Sequence, residues 1–325
     1  MKKSSVASLK STCSTDWKHY PRMFIRYSRK VKEGVMIKET TINSVLKYIE
    51  DNIEVISIDI NALVEYSGYS RRYLQLLFKE MIGLSIGKYI QRRRITRAAI
   101  YLRLTNLPIA IISGRLFYDS QQTFSREFKK NSGYTPLQYR KYKAWMFKNQ
   151  TGYRCIKISS PTPELCYLPK QFFLGTSIKY KEKIPYTVTS SKIKWDMVQA
   201  LLSQGRCSLY ISNNIIQGKN AKNEFVINSI IWKEKESTGI EHSIEEGVYA
   251  RFTYKGKQDG YSSYINNIYL NVLPFYGLQK RNSFDLEIIS VDIYGCRSFE
   301  YYLPLEGNAL GHNLKHPAKW CPPNK

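Results

Sequence analysis

The sequence predicts a protein of two parts: an all-α first part of seven helices, then an α+β second part of two β-α-β-β halves. Three observations support this fold class. Apolar residues recur with a helical period of about 3.6 residues from position 42 to about 145. Gly, Pro and Ser divide that stretch into several short helices and one long helix. After residues 149–152 the pattern changes to β-rich segments interrupted by two helical segments.

Length and charge narrow the function classes. A chain of 325 residues with net charge +24 should form two domains and bind a polyanion, nucleic acid before membrane. The charge is uneven: residues 67–148 carry 17 Lys and Arg against 3 acids, whereas residues 39–66 carry 1 against 6. A merely basic composition would spread the charge evenly. The excess therefore points to residues 67–148 as the nucleic-acid-binding segment.

Other features argue against several kinds of site. No apolar run approaches the roughly 18 residues that span a bilayer, and the N-terminus lacks the apolar core of a signal peptide. The six cysteines are scattered without a C-x-x-C pair, which is typical of a reduced, cytoplasmic protein. If the protein binds DNA, it is expected to be associated with the nucleoid. Residues 306–325 are expected to form a solvated tail, although His312, His316 and Cys321 have a faintly ligand-like spacing. No metal or cofactor is predicted.

The N-terminal segment, residues 1–38, is expected to be a basic flexible arm that contacts DNA phosphates non-specifically. It has 10 Lys and Arg against 2 acids and no sustained period. Met36 is an alternative start of synthesis, so both beginnings stay open here. The helical domain is placed at 39–147.

The first three predicted helices contain a helix-turn-helix unit. Residues 42–53 present an apolar i, i+3, i+4, i+7 face. Asp59 can cap the second helix, which Gly68 ends in the left-handed region. Ser70 then caps a third helix over 71–81. Helix, glycine turn and helix together predict the DNA-binding supersecondary motif.

The next four helices repeat the device. A fourth helix over 85–104 is about 27–30 Å long at 1.5 Å per residue. Pro108 suits the first turn of the fifth helix, Ser120 caps the sixth, and Thr135-Pro136 starts a seventh that reaches about Trp145. With the packing offset, the third and sixth helices should lie about one DNA turn, near 34 Å, apart. The sequence therefore predicts two DNA-reading helices on one monomer.

A series of short motifs runs along residues 68–140. They are Gly68-Tyr69-Ser70, Leu74-Gln75, Phe78-Lys79, Ile86-Gly87, Tyr89-Ile90, Arg92-Arg93-Arg94, Leu102-Arg103-Leu104, Pro108-Ile109, Asp119-Ser120-Gln121-Gln122-Thr123-Phe124, Thr135-Pro136 and Tyr139-Arg140. This series resembles the AraC/XylS family of bacterial transcription regulators, in the subgroup of MarA, SoxS and Rob. The resemblance covers about 40–145.

The resemblance implies that residues of the third and sixth helices face base edges. The matching positions are Arg72, Gln75 and Leu76 on the third helix, and Gln121, Gln122, Thr123 and Arg126 on the sixth. The side chains suit this role, since Gln pairs with adenine N6/N7 and Arg with guanine O6/N7. Arg71 and Lys130 are further candidates for DNA binding. For Arg92 and its two arginine neighbours, phosphate contact and plain solvation are equally favoured.

Two departures from the family pattern fall on the third helix. Relatives often have Trp where Arg72 stands and Arg where Leu76 stands. The third helix is therefore expected either to read different bases or to contribute more backbone contacts. For Gln121 and Gln122 the alternative is solvated helix surface.

The second part, residues 152–305, is expected to alternate strands and helices. Candidate strands are 153–159, 164–169, 172–180, 207–213, 224–234, 248–255, 284–294 and 297–304. Candidate helices are 192–203, with Ile193, Val198, Leu201 and Leu202 inward, and 260–273.

Three stretches of the second part resemble the GyrI-like effector-binding domain found in Rob-like members of the family. They are residues 247–256 with the helix after Gly260, residues 285–287, and the ending Tyr302-Leu303-Pro304-Leu305. The resemblance implies a ligand site between the two halves, with Glu287 lining it. Candidate aromatic walls are Trp195, Tyr249, Phe252, Tyr254 and Tyr264. The alternatives are core packing for each aromatic residue and a surface strand for Glu287.

These observations predict a sequence-specific transcription regulator, with activation favoured over repression by the resemblance. Expected partners are double-stranded DNA, RNA polymerase and a small amphipathic or aromatic effector, but no membrane. A second hypothesis is an architectural, weakly specific DNA binder. A third is a GyrI-like hydrolase, disfavoured because the sequence shows no Ser/His/Asp or Cys/His constellation and no Walker-type loop, so the protein is not expected to be an enzyme.

Overall fold

A computed structural model describes residues 22–142, 145, 150–154, 156, 161–183, 192–219, 223–233, 240–307 and 318–319. In these residues there is no helix long and apolar enough to cross a membrane. Most of the predicted tail at 306–325 and residues 1–21 of the predicted arm lie outside the described residues.

The described first part is helical, as the periodicity predicted. Its helices are α1 (Arg22–Asn52), α2 (Ile60–Ser67), α3 (Arg71–Ile82), α4 (Ile86–Leu104), α5 (Ile109–Arg115), α6 (Gln121–Ser132) and α7 (Pro136–Lys141). One prediction is corrected at α1. Residues 22–38, expected to belong to a flexible arm, continue the first helix toward the N-terminus.

The helices α3 and α6 share one local design. Ser70 Oγ accepts a hydrogen bond from the Tyr73 amide at 3.4 Å, and Ser120 Oγ accepts one from the Thr123 amide at 3.1 Å. Both helices have 12 residues and end at a glycine in the left-handed region, Gly83 at φ 75° and Gly133 at φ 84°. The side-chain cap satisfies an orphan N-terminal amide, and glycine turns the chain without a Cβ penalty.

The second part combines strands and helices. Its elements are β1 (Glu164–Leu168), β2 (Gln171–Lys183), α8 (Lys192–Ser203), β3 (Ser208–Ile216), β4 (Glu224–Trp232), β5 (Ile240–Ile244), β6 (Gly247–Lys255), α9 (Gln258–Asn267), a π-helix (Ile268–Val272), α10 (Leu273–Tyr276), β7 (Asp285–Val291), β8 (Arg297–Pro304) and β9 (Ala318–Lys319).

The described strands form one sheet in the order β5-β2-β4-β3-β7-β8-β6-β1-β9. The two predicted β-α-β-β halves are confirmed: β2-α8-β3-β4 and β6-α9-β7-β8 have matching strand orders and meet at the antiparallel pair β3–β7. The outer strands are exchanged. β1, which precedes the first half, pairs with β6 of the second, and β5, which precedes the second half, pairs with β2 of the first. The halves therefore interlock.

The strand predicted over 153–159 is wrong for its described residues. Tyr153 donates its amide to Asn271 Oδ1 at 3.0 Å, and Ile156 donates its amide to Asn43 Oδ1 at 2.7 Å. Both residues pack against the core of α1 to α4. Side chains of the neighbouring helices thus take the hydrogen bonds that a strand partner would have taken. The strands β5 and β9 were not predicted.

The two parts share a hydrophobic core. A single cluster contains Leu102 and Phe128 from the helical part together with Phe252 and Leu303 from the sheet. Polar contacts join the parts as well: the Gln217 side chain donates to the Leu102 and Thr105 carbonyls at 3.2 and 2.7 Å. The sheet domain therefore buries one side of α4.

Candidate nucleic-acid interface and buried carboxylate site

The outward faces of α3 and α6 carry the residues predicted to contact DNA. All of those on the two helices are exposed: Arg71, Arg72, Gln75, Leu76, Gln121, Gln122, Thr123, Arg126 and Lys130. Their inward neighbours Leu74 and Phe124 are fully buried. Because each helix buries its other side, its polar and basic side chains are turned to solvent together.

Hydrogen bonds position the second of these faces. The Thr123 and Ser120 hydroxyls lie 3.0 Å apart, so the N-terminal cap of α6 also orients a predicted base-contacting side chain. On the other side of α6, Glu127 accepts a hydrogen bond from Gln91 of α4. This hydrogen bond holds α6 against the N-terminal half of α4.

A groove of about 540 Å³ runs beside α3. Its basic and polar wall is formed by Arg71, Arg72, Gln75 and Lys79, and its other side by residues 85–87 at the start of α4. Leu76, 59% exposed, lies in the same groove. The groove thus combines the basic and polar side chains of α3 with apolar ones, which are Leu76, Ile58, Ile60, Ile86 and Ile90. Such a combination suits phosphate and a thymine methyl group.

The arginines of α4 do not form one solvated row. Arg92 and Arg94 are partly buried, but Arg93 is fully buried and Arg97 is 6% exposed. Phosphate contact and solvation were the two interpretations of Arg92 to Arg94, and both are wrong for Arg93. The periodicity of the sequence could not show this, because the partners of Arg93 come from α1, the linker and the second part.

Arg93 is the centre of a buried ionic network. It donates to both oxygens of Glu50, at 3.0 and 2.6 Å, to the Thr151 carbonyl at 2.5 Å and to Asn271 Oδ1 at 3.3 Å. Arg97 donates to the same Glu50 at 2.6 Å. Burial raises the pKa of Glu50, but the two guanidinium groups lower it more, so the net shift is downward. The carboxylate is therefore ionised and joins α1 to α4, while Arg93 joins α4 to the second part through Asn271.

A second buried site lies under α8 and α9, at the seam between the two halves of the sheet. Glu287 on β7 is 1% exposed and accepts hydrogen bonds from Lys194 Nζ at 2.9 and 2.7 Å and from Asn213 Nδ2 at 2.9 Å. Asn213 Oδ1 in turn accepts from the Ser229 hydroxyl at 2.5 Å. The resemblance implied a lining carboxylate at Glu287, and its alternative, a surface strand, is excluded by this burial.

The aromatic residues predicted around Glu287 divide between the two faces of the sheet. Trp195 and Tyr264 belong to the cluster between the helices and the sheet, and Phe252 lies on the same face beside Tyr301. Tyr249 points to the opposite face, since side chains alternate along a strand and it lies an odd number of residues from Phe252. Tyr249 is therefore not brought to Glu287.

Sequence reasoning missed Lys194 and Asn213. It placed Ile193 on the inward face of α8, but Ile193 is 59% exposed and Lys194 is buried. The buried positions Lys194 and Val198 are four residues apart, which is a helical spacing. Lysines are rarely buried without a partner, and the partner of Lys194 lies 93 positions later, so the local pattern does not indicate its burial.

Two units that each present a short capped helix, followed by an interlocked β-α-β-β sheet, define the class of two-part transcription regulators. A family model described as a helix-turn-helix domain matches residues 63–142, and one described as a GyrI-like small molecule binding domain matches residues 161–306.

The chain belongs to the AraC/XylS family of transcription regulators. It is 40% identical over 271 residues to the F1 operon positive regulatory protein of Yersinia pestis, covering 83% of this chain and 89% of that one. It is 27% identical over 257 residues to the right origin-binding protein of Escherichia coli K12, covering 76% and 89%. It is 33% identical over 142 residues to the HTH-type transcriptional activator AarP of Providencia stuartii, covering 44% and 97%.

Proposed function

We propose that the protein activates transcription by reading an asymmetric DNA site as a monomer, with α3 and α6 in successive major grooves. The observation that carries this proposal is the repeated design of α3 and α6, two capped 12-residue helices that both pack against α4. At 1.5 Å per residue, the 19 residues of α4 span about 28 Å, which with the packing offset approaches one DNA turn. The packing of α4 against the sheet leaves the outward faces of α3 and α6 exposed.

Base reading is assigned unequally to the two helices. On α6, Gln121, Gln122 and Arg126 supply the bidentate groups for adenine and guanine. On α3, Arg72 and Gln75 flank the apolar Leu76, so its half-site differs in sequence from those of relatives with Arg at that position. Lys130 and Arg71 contact phosphates, and the partly buried Arg92 is at most a phosphate contact.

Activation requires RNA polymerase as a second partner. The Yersinia pestis relative is named a positive regulatory protein and the Providencia stuartii relative an activator, which supports activation over repression. A small amphipathic or aromatic effector is proposed to bind between the halves of the sheet, near Glu287, Trp195 and Tyr264. The protein is proposed to be cytoplasmic and associated with the nucleoid.

The experiment is selection of bound sequences from random DNA by the full chain, followed by footprinting at moderate salt. A protected site of about two helical turns is expected. Arg126→Ala should weaken binding by about 1–3 kcal/mol, roughly 5- to 150-fold, and relax the preference at one base position. The control Lys181→Ala removes an exposed charge on the sheet domain and should leave the selected sequence unchanged.

An architectural, weakly specific DNA binder is the alternative. It predicts no enriched sequence, equal weakening of all sequences by Arg126→Ala, and affinity that falls steeply with salt. Enrichment of a discrete site therefore separates the two functions.

A further inference from the structure

The Lys194–Glu287 pair is almost completely removed from solvent. The Glu287 side chain is 1% exposed and the Lys194 side chain 10%. The ammonium donates to both carboxylate oxygens, and Asn213 adds a third hydrogen bond to the same carboxylate. The negative charge of Glu287 is thus neutralised within the chain.

The surroundings of this pair are those of an organic-cation site. Lys194 Nζ lies 5.1 Å from the centre of the Trp195 ring, and the buried residues Tyr180 and Tyr261 are neighbours. A carboxylate together with aromatic faces is the usual recognition chemistry for ammonium groups. In this chain the ammonium is supplied by α8.

Lys194 carries the positive charge of the pair. Burial lowers the pKa of Lys194, but the Glu287 carboxylate and the Tyr180 phenol raise it more, so the net shift is upward from the ordinary value. Lys194 is therefore protonated at neutral pH.

A second buried lysine pair, in the described part of the sheet domain, differs from the first in what holds its ammonium group. Lys280 contacts Asp285 at 2.9 Å and also donates to the carbonyls of Arg281 and Ser283, each at 3.0 Å. Its ammonium is held by the backbone of its own loop. Lys194 instead reaches from a helix to a carboxylate on the facing sheet, at the seam where the proposed effector binds.

We infer that Lys194 determines the ligand specificity of this site: its ammonium fills the position of a cationic ligand, so the chain selects uncharged aromatic or amphipathic ligands against cations. A second cation beside the neutral pair would have to be buried without a counter-charge, which is strongly unfavourable. The inference rests on the proposed effector role of the sheet domain and does not depend on DNA reading.

The test is chemical rescue in the full chain. Lys194→Ala removes three methylenes and the ammonium, a volume and charge that n-propylammonium replaces. The variant should melt about 5–15 °C below wild type, because Glu287 loses its counter-ion. Millimolar n-propylammonium should restore most of that loss, whereas the uncharged n-propanol should not. In Lys194→Ala combined with Glu287→Gln, n-propylammonium should give no rescue.

A second measurement uses the wild-type chain and keeps the inference testable if Lys194→Ala does not fold. Calorimetric titration with tetraphenylphosphonium should show no saturable binding that depends on Glu287. Saturable cation binding by wild type that Glu287→Gln abolishes would overturn the inference, as would equal rescue by n-propanol. Neither readout involves DNA, so loss of the proposed regulatory function and failure of this inference are distinguished.

Discussion

Replacing Arg93 by Met tests whether the buried ionic network joins the two parts of the molecule. Met keeps most of the length and apolar volume of the side chain but removes the guanidinium. The change deletes two hydrogen bonds to Glu50, one to the Thr151 carbonyl and one to Asn271. Glu50 retains Arg97 at 2.6 Å, so its charge is not left wholly unpaired.

The expected magnitude follows from burial. Removing one partner from a buried, hydrogen-bonded ion pair costs about 3–5 kcal/mol. The lower end, about 3 kcal/mol, is expected because Arg97 compensates part of the Glu50 charge. An exposed ion pair for the control lies on α1, the helix that carries Glu50: Lys47 and Asp51 are 2.9 Å apart and 69% and 57% exposed. Lys47→Met should cost less than about 0.5 kcal/mol.

The assay is urea unfolding of the full chain, followed by both circular dichroism and tryptophan fluorescence. In wild type the two transitions should coincide, because the parts share one core. In Arg93→Met the transition should move to lower urea, and the helical signal should be lost before the tryptophan signal changes fully. A loss below about 1 kcal/mol, or one equal to that of Lys47→Met, would refute the assignment of Arg93 as an energetically important link between the parts.

Two further predictions concern the same interface. Gly152→Ala should destabilise the chain and weaken the contact between its two parts, because an added Cβ would overlap the Asn271 backbone carbonyl. Gly87→Ala, where an added Cβ has no neighbour within 4 Å, should instead stabilise α4 by up to about 1 kcal/mol. Thermal melts of both variants check these two expectations. The pKa of Glu50 is lowered in the folded state, so its contribution to stability is present above its ordinary value of 4.5 and is lost as pH falls below that value. Unfolding measured from pH 3 to 7 should therefore show a smaller acid-induced loss in Glu50→Gln than in wild type; equal loss in both would contradict the network.

The helices of the first part could be predicted from the sequence because the signals that define them are local. Ser70, Ser120, Gly83 and Gly133 act on the backbone within four residues of themselves, so their chemistry can be recognised without knowing the fold. Both α3 and α6 were predicted from their serine caps and from the helical period of their apolar residues.

The predictions that were wrong share a physical cause: each of these residues depends on partners that are distant in the sequence. Arg93 looks like a surface residue in a basic run, and only the approach of Glu50, 43 positions earlier, makes its burial favourable. Lys194 is buried for the same reason, by Glu287 on a strand 93 positions later. In the strand predicted at 153–159, the described residues Tyr153 and Ile156 pack against helices rather than against strands.

The exchange of β1 and β5 between the halves has a consequence for synthesis on the ribosome. In the sheet, Cys166 of β1 lies opposite Tyr249 of β6, which is synthesised 83 residues later. At about 5–20 residues per second, β1 waits roughly 4 to 17 s for its neighbour with an open edge. The helical part is complete before then, but the face of α4 that the sheet will cover is still bare. A nascent chain of this protein therefore needs protection at two surfaces at once, and both are closed by the arrival of β6 to β8.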